Sequence, residues 1–148
     1  MPGTFSCLTF HVVFSTTNRL PLITRDIREG IYPYIGGIVR GIGGVALGVG
    51  GMPDHIHLVA RLPPSLPIAD AMRTIKANSS KWMNENHQFS KFGWQKGYGA
   101  FSVSQSMVAT VVEYVGNQEQ HHRTSSFSEE LAVLLRRHEV EFDLKYLP

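Results

Sequence analysis

The chain is short of three things, and each shortage excludes something. Its 148 residues hold one cysteine, Cys7, so an internal disulfide framework is ruled out and a reducing, cytoplasmic setting is expected, with Cys7 itself in the core. No apolar run approaches the roughly 20 residues of a membrane helix, and Met1-Pro2-Gly3-Thr4 is not a basic lead into an apolar stretch. A soluble, unexported protein with no membrane partner is expected. Net charge is also small, at +2, although it is unevenly spread, since residues 1–100 hold ten Lys/Arg against five Asp/Glu and residues 101–148 four against seven. A mildly basic first two-thirds permits a nucleic-acid surface and equally suits an ordinary solvated face. Glycines crowd positions 36–51, yet neither G-x-G-x-x-G nor G-x-x-x-x-G-K-[ST] occurs there, which excludes a nucleotide-cradling loop.

What is present reads as one domain spanning 1–148, long enough to bury about two-thirds of its unfolded surface. Residues 4–14 are rich in β-branched and aromatic side chains and predict a buried strand central to a sheet. Thr24 is a plausible N-cap for a helix whose Ile27, Ile31, Tyr34, Ile35 and Ile38 recur at helical spacing, with Pro33 as a blemish. A glycine-softened strand from Val45 to Gly50 then turns at Met52-Pro53-Asp54 into a strand over 55–61, as a hairpin. From Ile68 to about Glu85, Met72, Ile75, Trp82 and Met83 mark the face of a second helix. Residues 97–104 alternate like a strand. The valine-rich stretch 107–119 has strand-like propensity, but Val108, Val111, Val112 and Val115 keep an i, i+3, i+4, i+7 stripe. That predicts a helix capped by Ser106, with Tyr114, Gln118 and His121 on a second stripe. A last amphipathic helix is expected over about 128–138, followed by a short packed or pairing tail.

The chemistry centres on Pro53-Asp54-His55-Ile56-His57-Leu58. Strand side chains alternate, so His55 and His57 face the same way, about 6.5–7 Å apart at the backbone. Alternation sends Asp54 to the opposite face, where it would serve the turn. Two imidazoles begin a metal site, although a His-x-His strand is also compatible with a hydrogen-bonded pair. A tyrosine hydroxyl has a pKa near ~10, so as a nucleophile on a phosphodiester it needs an activated electrophile or an easier proton loss. Two imidazoles and an amide oxygen could hold Mg²⁺ or Mn²⁺ against the phosphate while Tyr114 attacks.

Five blocks in order carry a resemblance along nearly the whole chain: Phe10 to Arg19, Gly50 to Leu58, Arg73 to Trp82, Trp94 to Ser104, and Tyr114 to His122. The chain resembles the single-tyrosine HUH transposases of the IS-two-hundred family. The resemblance implies an α+β fold, an antiparallel β-sheet with packed helices of ferredoxin or RNA-recognition type. It implies His55 and His57 as metal ligands, Gln118 as the third, and Tyr114 as the nucleophile, with one Mg²⁺ or Mn²⁺ per site and no nucleotide cofactor. The implied substrate is single-stranded DNA with hairpin ends, cleaved to a 5′-phosphotyrosine and a free 3′-hydroxyl that later attacks such a linkage. A homodimer is implied too, possible composite sites included, with the flexible point around 104–107.

DNA contacts are expected, as a group, from Arg73, Lys76 and Lys81 on the basic flank of the second helix, with Arg19, Arg40 and Lys96 as further phosphate partners. His121 and His122 suit proton transfer, a DNA contact or a solvated helix end. Gly116 suits close approach of DNA or a partner, or simple tolerance. The alternative is an inactive or domesticated relative that only grips hairpin DNA, against which the intact Tyr114, His55, His57 and Gln118 weigh. An unrelated metal hydrolase would want a carboxylate near the histidines, and in sequence only Asp54 is close.

Overall fold

In a computed structural model the chain is described over residues 3–87, 89, 91–122 and 124–148. The order is β1 (Thr9–Ser15), α1 (Arg25–Gly41), β2 (Val45–Met52), β3 (His55–Arg61), α2 (Ile68–Asn86), β4 (Gly99–Val103), α3 (Val108–Gly116), α4 (Gln118–His121) and α5 (Phe127–Arg137). The four strands form one sheet in the order β2-β3-β1-β4, and every neighbouring pair is antiparallel. This β-α-β-β-α-β path is the ferredoxin-like arrangement expected. No helix among the described residues is long and apolar enough to cross a membrane.

Alternation along the two central strands decides the two layers. Val12 and Phe14 of β1, with Ile56, Leu58 and Ala60 of β3, pack in one buried cluster with Ile31, Ile35, Ile38 and Val39 of α1 and Met72, Ile75 and Met83 of α2. Burying each large aliphatic side chain there contributes roughly 1.5–3 kcal/mol. The residues between them, His11, Val13 and Ser15 on β1 and His55 and His57 on β3, are also buried but turn to the other layer. Val13 and Phe101 join Phe127, Leu131 and Leu134 of α5 there in a smaller cluster.

The glycines of β2 have a packing reason. A Cβ on Gly50 would lie 2.0 Å from the carbonyl oxygen of Val115, and one on Gly48 would lie 3.2 Å from Val112 Cγ1. The strand is stripped of side chains where α3 lies across it. Because Gly50 pairs with His57 across the sheet, that close approach sets the tyrosine helix beside the histidines.

Several boundaries differ from expectation. β1 begins at Thr9, not Thr4, because Thr9 is the first residue paired on both sides, with Arg61 and Val103. Residues 3–7 are exposed, so Cys7 is not a core residue, and its Sγ lies 3.4 Å from Gln105 Oε1. Thr24 stands at the N-cap of α1 without a side-chain cap bond. The expected helix over 107–119 is divided: a 3-10 turn at Gln105–Met107 precedes α3, which has no side-chain cap bond, so Ser106 is not its cap. Asn117, at φ −105° and ψ 29°, separates α3 from α4. Gly116 and Asn117 are both poor helix formers, which places the break. A Cβ on Gly116 would meet nothing within 4 Å among the described residues outside its own helix turn, so no packing contact there requires a glycine. α5 begins at Phe127 behind a reciprocal cap between Ser126 and Glu129. The tail makes a 3-10 turn at Leu144–Tyr146, and Leu147 packs against the smaller cluster.

Candidate active site and metal centre

β3 carries His55 and His57 into the layer beneath α3, α4 and α5, both with no solvent exposure, their ring centroids 5.2 Å apart. Each ring is held from behind. His55 Nδ1 lies 2.8 Å from Asp54 Oδ1, and His57 Nδ1 lies 2.7 Å from His11 Nε2. The expectation that Asp54 faces away is therefore corrected. Asp54 belongs to the turn between β2 and β3, where strand alternation does not apply, and its carboxylate curls back to the imidazole. Burial alone would raise the Asp54 carboxyl, but the hydrogen bond and charge of His55 outweigh it and hold the group below its ordinary value. An acid or acceptor behind a ring fixes which nitrogen faces forward, a usual partnership for metal-ligating histidines.

In front of the rings stand three groups from the helices. Gln118, buried at the start of α4, places Oε1 3.1 Å from His55 Nε2 and 3.0 Å from His122 Nε2. Glu130, buried on α5, places Oε1 2.9 Å from His57 Nε2, 3.2 Å from His122 Nε2 and 3.6 Å from His55 Nε2. Its other oxygen accepts from Gln118 Nε2 at 3.1 Å and from the hydroxyl of Tyr114. The tyrosine ring meets those of His57 and His11 edge-on, at 5.8 and 6.1 Å. Tyr114 and Gln118 thus come together as their spacing predicts, even though the helix breaks between them.

Alpha4 is only a single turn, and it is anchored from outside. Glu119 pairs with Arg25 at 3.1 Å and Arg28 at 2.9 Å, both on α1. His122 donates from Nδ1 to the Ser125 carbonyl at 2.8 Å. His121 lies against Tyr114, ring centroids 4.4 Å apart. Beside Tyr114 a cavity of about 520 Å³ opens between β4, α3 and α5, with Phe101, Met107, Val111 and Arg137 among its walls. That is within the range of sites that receive a small organic group.

Burial sets the proton affinities. It pulls His11 down to about 3, with the neighbouring His57 adding to the effect, so His11 stays neutral. It also lowers His57, although Glu130 opposes the shift. Burial would raise Glu130, but the hydrogen bonds and charges of His57, with Tyr114 and His55, carry it well below the usual carboxylate range. Tyr114 is pushed above its ordinary value by burial first and then by the Glu130 carboxylate. At neutral pH the pair is a phenol donating to a carboxylate.

Glu130 and His11 escaped the sequence reading. Glu130 left a signal, since Phe127, Glu130, Leu131 and Leu134 keep i, i+3, i+4, i+7 spacing and an acid interrupts an apolar stripe. His11 left one too, as the polar residue inside Phe10-His11-Val12-Val13-Phe14. The carboxylate that only Asp54 could supply in sequence arrives here from α5.

The basic candidates are not brought to one place. Arg73 and Lys81 are exposed on α2, across the sheet from the histidines, and pair with Asp70 at 2.7 Å and Glu85 at 3.9 Å. Lys76 is half-buried and donates to the carbonyls of Gln95, at 2.8 Å, and Gly97, clamping the approach to β4. Arg19 donates to Ser128 Oγ at 3.1 Å. Arg40 and Lys96 are exposed.

A ferredoxin-like antiparallel sheet carrying paired histidines under a tyrosine helix defines the class: an α+β protein with a buried His, Gln, Glu and Tyr centre on one face. The chain belongs to the family described as "Transposase IS200 like", whose profile matches residues 4–118. It is 23% identical over 117 residues to the ISDra2 transposase TnpA of Deinococcus radiodurans, covering 75% of this chain and 84% of that one. Its fold is shared with a crystal structure of a protein assigned as a transposase from Deinococcus radiodurans R1, at a TM-score of 0.66 and 22% identity over 80% of this chain and 95% of that one. It is shared also with a REP-associated tyrosine transposase bound to a REP hairpin, at a TM-score of 0.56 and 15% identity over 78% and 70%.

Proposed function

We propose that this protein is a DNA transposase that cleaves and rejoins single-stranded DNA through Tyr114, on substrates with hairpin ends. The carrying observation is that the Tyr114 hydroxyl lies in the same buried cluster as His55, His57 and Gln118, hydrogen-bonded to a carboxylate. In the forward step the Tyr114 oxygen bonds to the scissile phosphorus and the bond from phosphorus to the 3′-oxygen breaks. This leaves a 5′-phosphotyrosine and a strand ending in a 3′-hydroxyl. The phenol proton has an acceptor in place at Glu130 Oε2. In the return step a 3′-hydroxyl attacks the phosphotyrosine, a phosphodiester forms and the tyrosine hydroxyl is restored, so no nucleotide cofactor is consumed.

His55 Nε2, His57 Nε2 and Gln118 Oε1 would hold one Mg²⁺ or Mn²⁺. The arrangement fits, since Asp54 and His11 occupy the rear nitrogens and leave the front ones to converge. Such an ion, when bound, supplies Lewis-acid polarisation of the phosphate. His55 and His57 have no solvent exposure of their own, and the cavity beside Tyr114 gives a flanking nucleotide room to lie. Arg19, Arg40, Arg73, Lys81 and Lys96 remain the group proposed to meet phosphates, and Lys76 acts through the loop it clamps.

Incubation with labelled hairpin-bearing single-stranded DNA and Mn²⁺ is expected to give an adduct that survives denaturation and disappears in Tyr114→Phe. An undiminished adduct in that variant would place the nucleophile elsewhere. Binding of the hairpin with no adduct from the intact protein would favour the DNA-gripping relative instead, a reading that the hairpin-bound neighbour keeps in view. We place the protein as a homodimer. Within this chain α3 lies on its own β2, and an exchange of helices through the turn at 105–107 would make the sites composite. Mixing Tyr114→Phe with His57→Ala protein restores adduct formation only in the exchanged arrangement.

A further inference from the structure

The atoms in front of His55 and His57 form a set with too many lone pairs. Asp54 is a carboxylate, so His55 Nδ1 carries the hydrogen and, in the neutral ring, His55 Nε2 is an acceptor. The Ser125 carbonyl can only accept, so His122 likewise donates from Nδ1, and in the neutral ring its Nε2 turns inward as an acceptor. Gln118 donates its amide hydrogens to Glu130 Oε2, which turns Gln118 Oε1 inward as well. Glu130 Oε1 completes the group, and with both rings neutral these acceptors lie 3.0 to 3.6 Å apart in their closest contacts with no donor among them. Acceptors buried against one another repel unless positive charge lies between them.

The spacing is that of a coordination shell. Metal–oxygen distances of roughly 2.0–2.1 Å put neighbouring ligands of an octahedral ion about 3 Å apart. Four contacts in the group are close to that: His55 with Gln118 at 3.1 Å, His122 with Gln118 at 3.0 Å, His57 with Glu130 at 2.9 Å and His122 with Glu130 at 3.2 Å. His55, His122 and Glu130 each offer a ligand atom within 4.8 Å of the others.

We propose that Glu130 Oε1 and His122 Nε2 are metal ligands, completing the donor set begun by His55, His57 and Gln118; this rests on the metal site of the function proposed above. The chemistry asks for such a completion. Two imidazoles and an amide are neutral, and a set of that kind suits Zn²⁺ better than the hard ions Mg²⁺ and Mn²⁺, which favour carboxylate oxygen. Glu130 supplies a carboxylate facing both rings, and through Oε2 it ties the ion's site to the hydroxyl of Tyr114. The centre and the nucleophile are thereby linked by one side chain.

Calorimetric titration of the metal-free full chain with Mn²⁺ and, separately, Zn²⁺ tests the assignment without any DNA. Glu130→Gln is expected to weaken Mn²⁺ at least tenfold and Zn²⁺ much less, lowering the Mn²⁺-to-Zn²⁺ affinity ratio, while Glu130→Asp retains most of that ratio. His122→Ala is expected to weaken Zn²⁺ more than Mn²⁺. His57→Ala is the control for the underlying site and is expected to abolish both. Thermal melts in chelator confirm that each variant is folded, and the ratio cancels a uniform loss from looser packing. An equal loss of both metals in Glu130→Gln, or a change within twofold, with His57→Ala still inactive in binding, overturns the proposal and leaves the metal site standing. Undiminished Mn²⁺ binding in His57→Ala overturns both.

Discussion

The two faces of the sheet are made by alternate residues of the same strands, yet they are built to different ends. Beneath α1 and α2 the buried residues are hydrocarbon, from Val12 and Phe14 to Ile56, Leu58 and Met83. Beneath α3, α4 and α5 the same strands bury three histidines, and the helices answer with a glutamine, a glutamate and a tyrosine. The first face needs only close packing. In the second, each polar group depends on a partner for its position, so stability there is conditional on a hydrogen-bond network and on pH. Alternation is what lets one strand serve both, since a residue cannot change face without shifting the register.

The largest break in that comparison is expected from Gly50→Ala. Its Cβ would fall 2.0 Å from the Val115 carbonyl oxygen, so α3 must lift off β2. Covalent adduct formation with hairpin DNA should fall at least a hundredfold, whereas Gly48→Ala, facing a side chain at 3.2 Å, should cost far less. Leu58→Ala, on the hydrocarbon face, should lower stability by roughly 2–5 kcal/mol in denaturant titration. Its effect on the adduct should follow only the loss of folded protein.

Next in size is a difference in pH response, measured by melting in chelator. His11 is held down to about 3 from 6.5, so the unfolded chain takes up that proton first as the solution is acidified. Its contribution to stability is complete above about pH 6.5 and erodes as pH falls toward about 3. Glu130, also held below its ordinary 4.5, adds a loss that begins near that value and continues downward. His11→Gln should flatten the melting curve between pH 6.5 and 3; a curve of unchanged slope would remove His11 as its cause. The smallest effect should come from Glu119→Gln. Its pairs with Arg25 and Arg28 are surface ion pairs, worth about 0.2–1 kcal/mol each, and should weaken with salt.

Much of this was legible beforehand because the signals are local. The hairpin from β2 to β3 follows from glycine, proline and alternating apolar residues, and α1 and α2 follow from their stripes. Tyr114 and Gln118 were paired by a four-residue spacing that survives the break at Asn117. The miss at Cys7 has the opposite character. Residues 4–8 look like strand, but a strand exists only where a neighbour pairs with it, and no propensity reveals where pairing stops. Asp54 was misjudged because alternation was carried one residue into a turn. Glu130 was passed over because an acid on an apolar stripe announces burial without naming its partner.

The sequence by itself determined which stretches are strand and which helix, though not where each ends, and the common face of His55 and His57, all of which depend on periodicities of two and of about 3.6 residues; five motif blocks carried the resemblance to the family. Only the tertiary structure decided what stands in front of those histidines. Glu130 lies 73 residues beyond His57, and it reaches Nε2 because α5 packs through Phe127, Leu131 and Leu134 against Val13 and Phe101 on that side of the sheet. Contacts of that range follow from how layers stack, and no spacing along the chain encodes them.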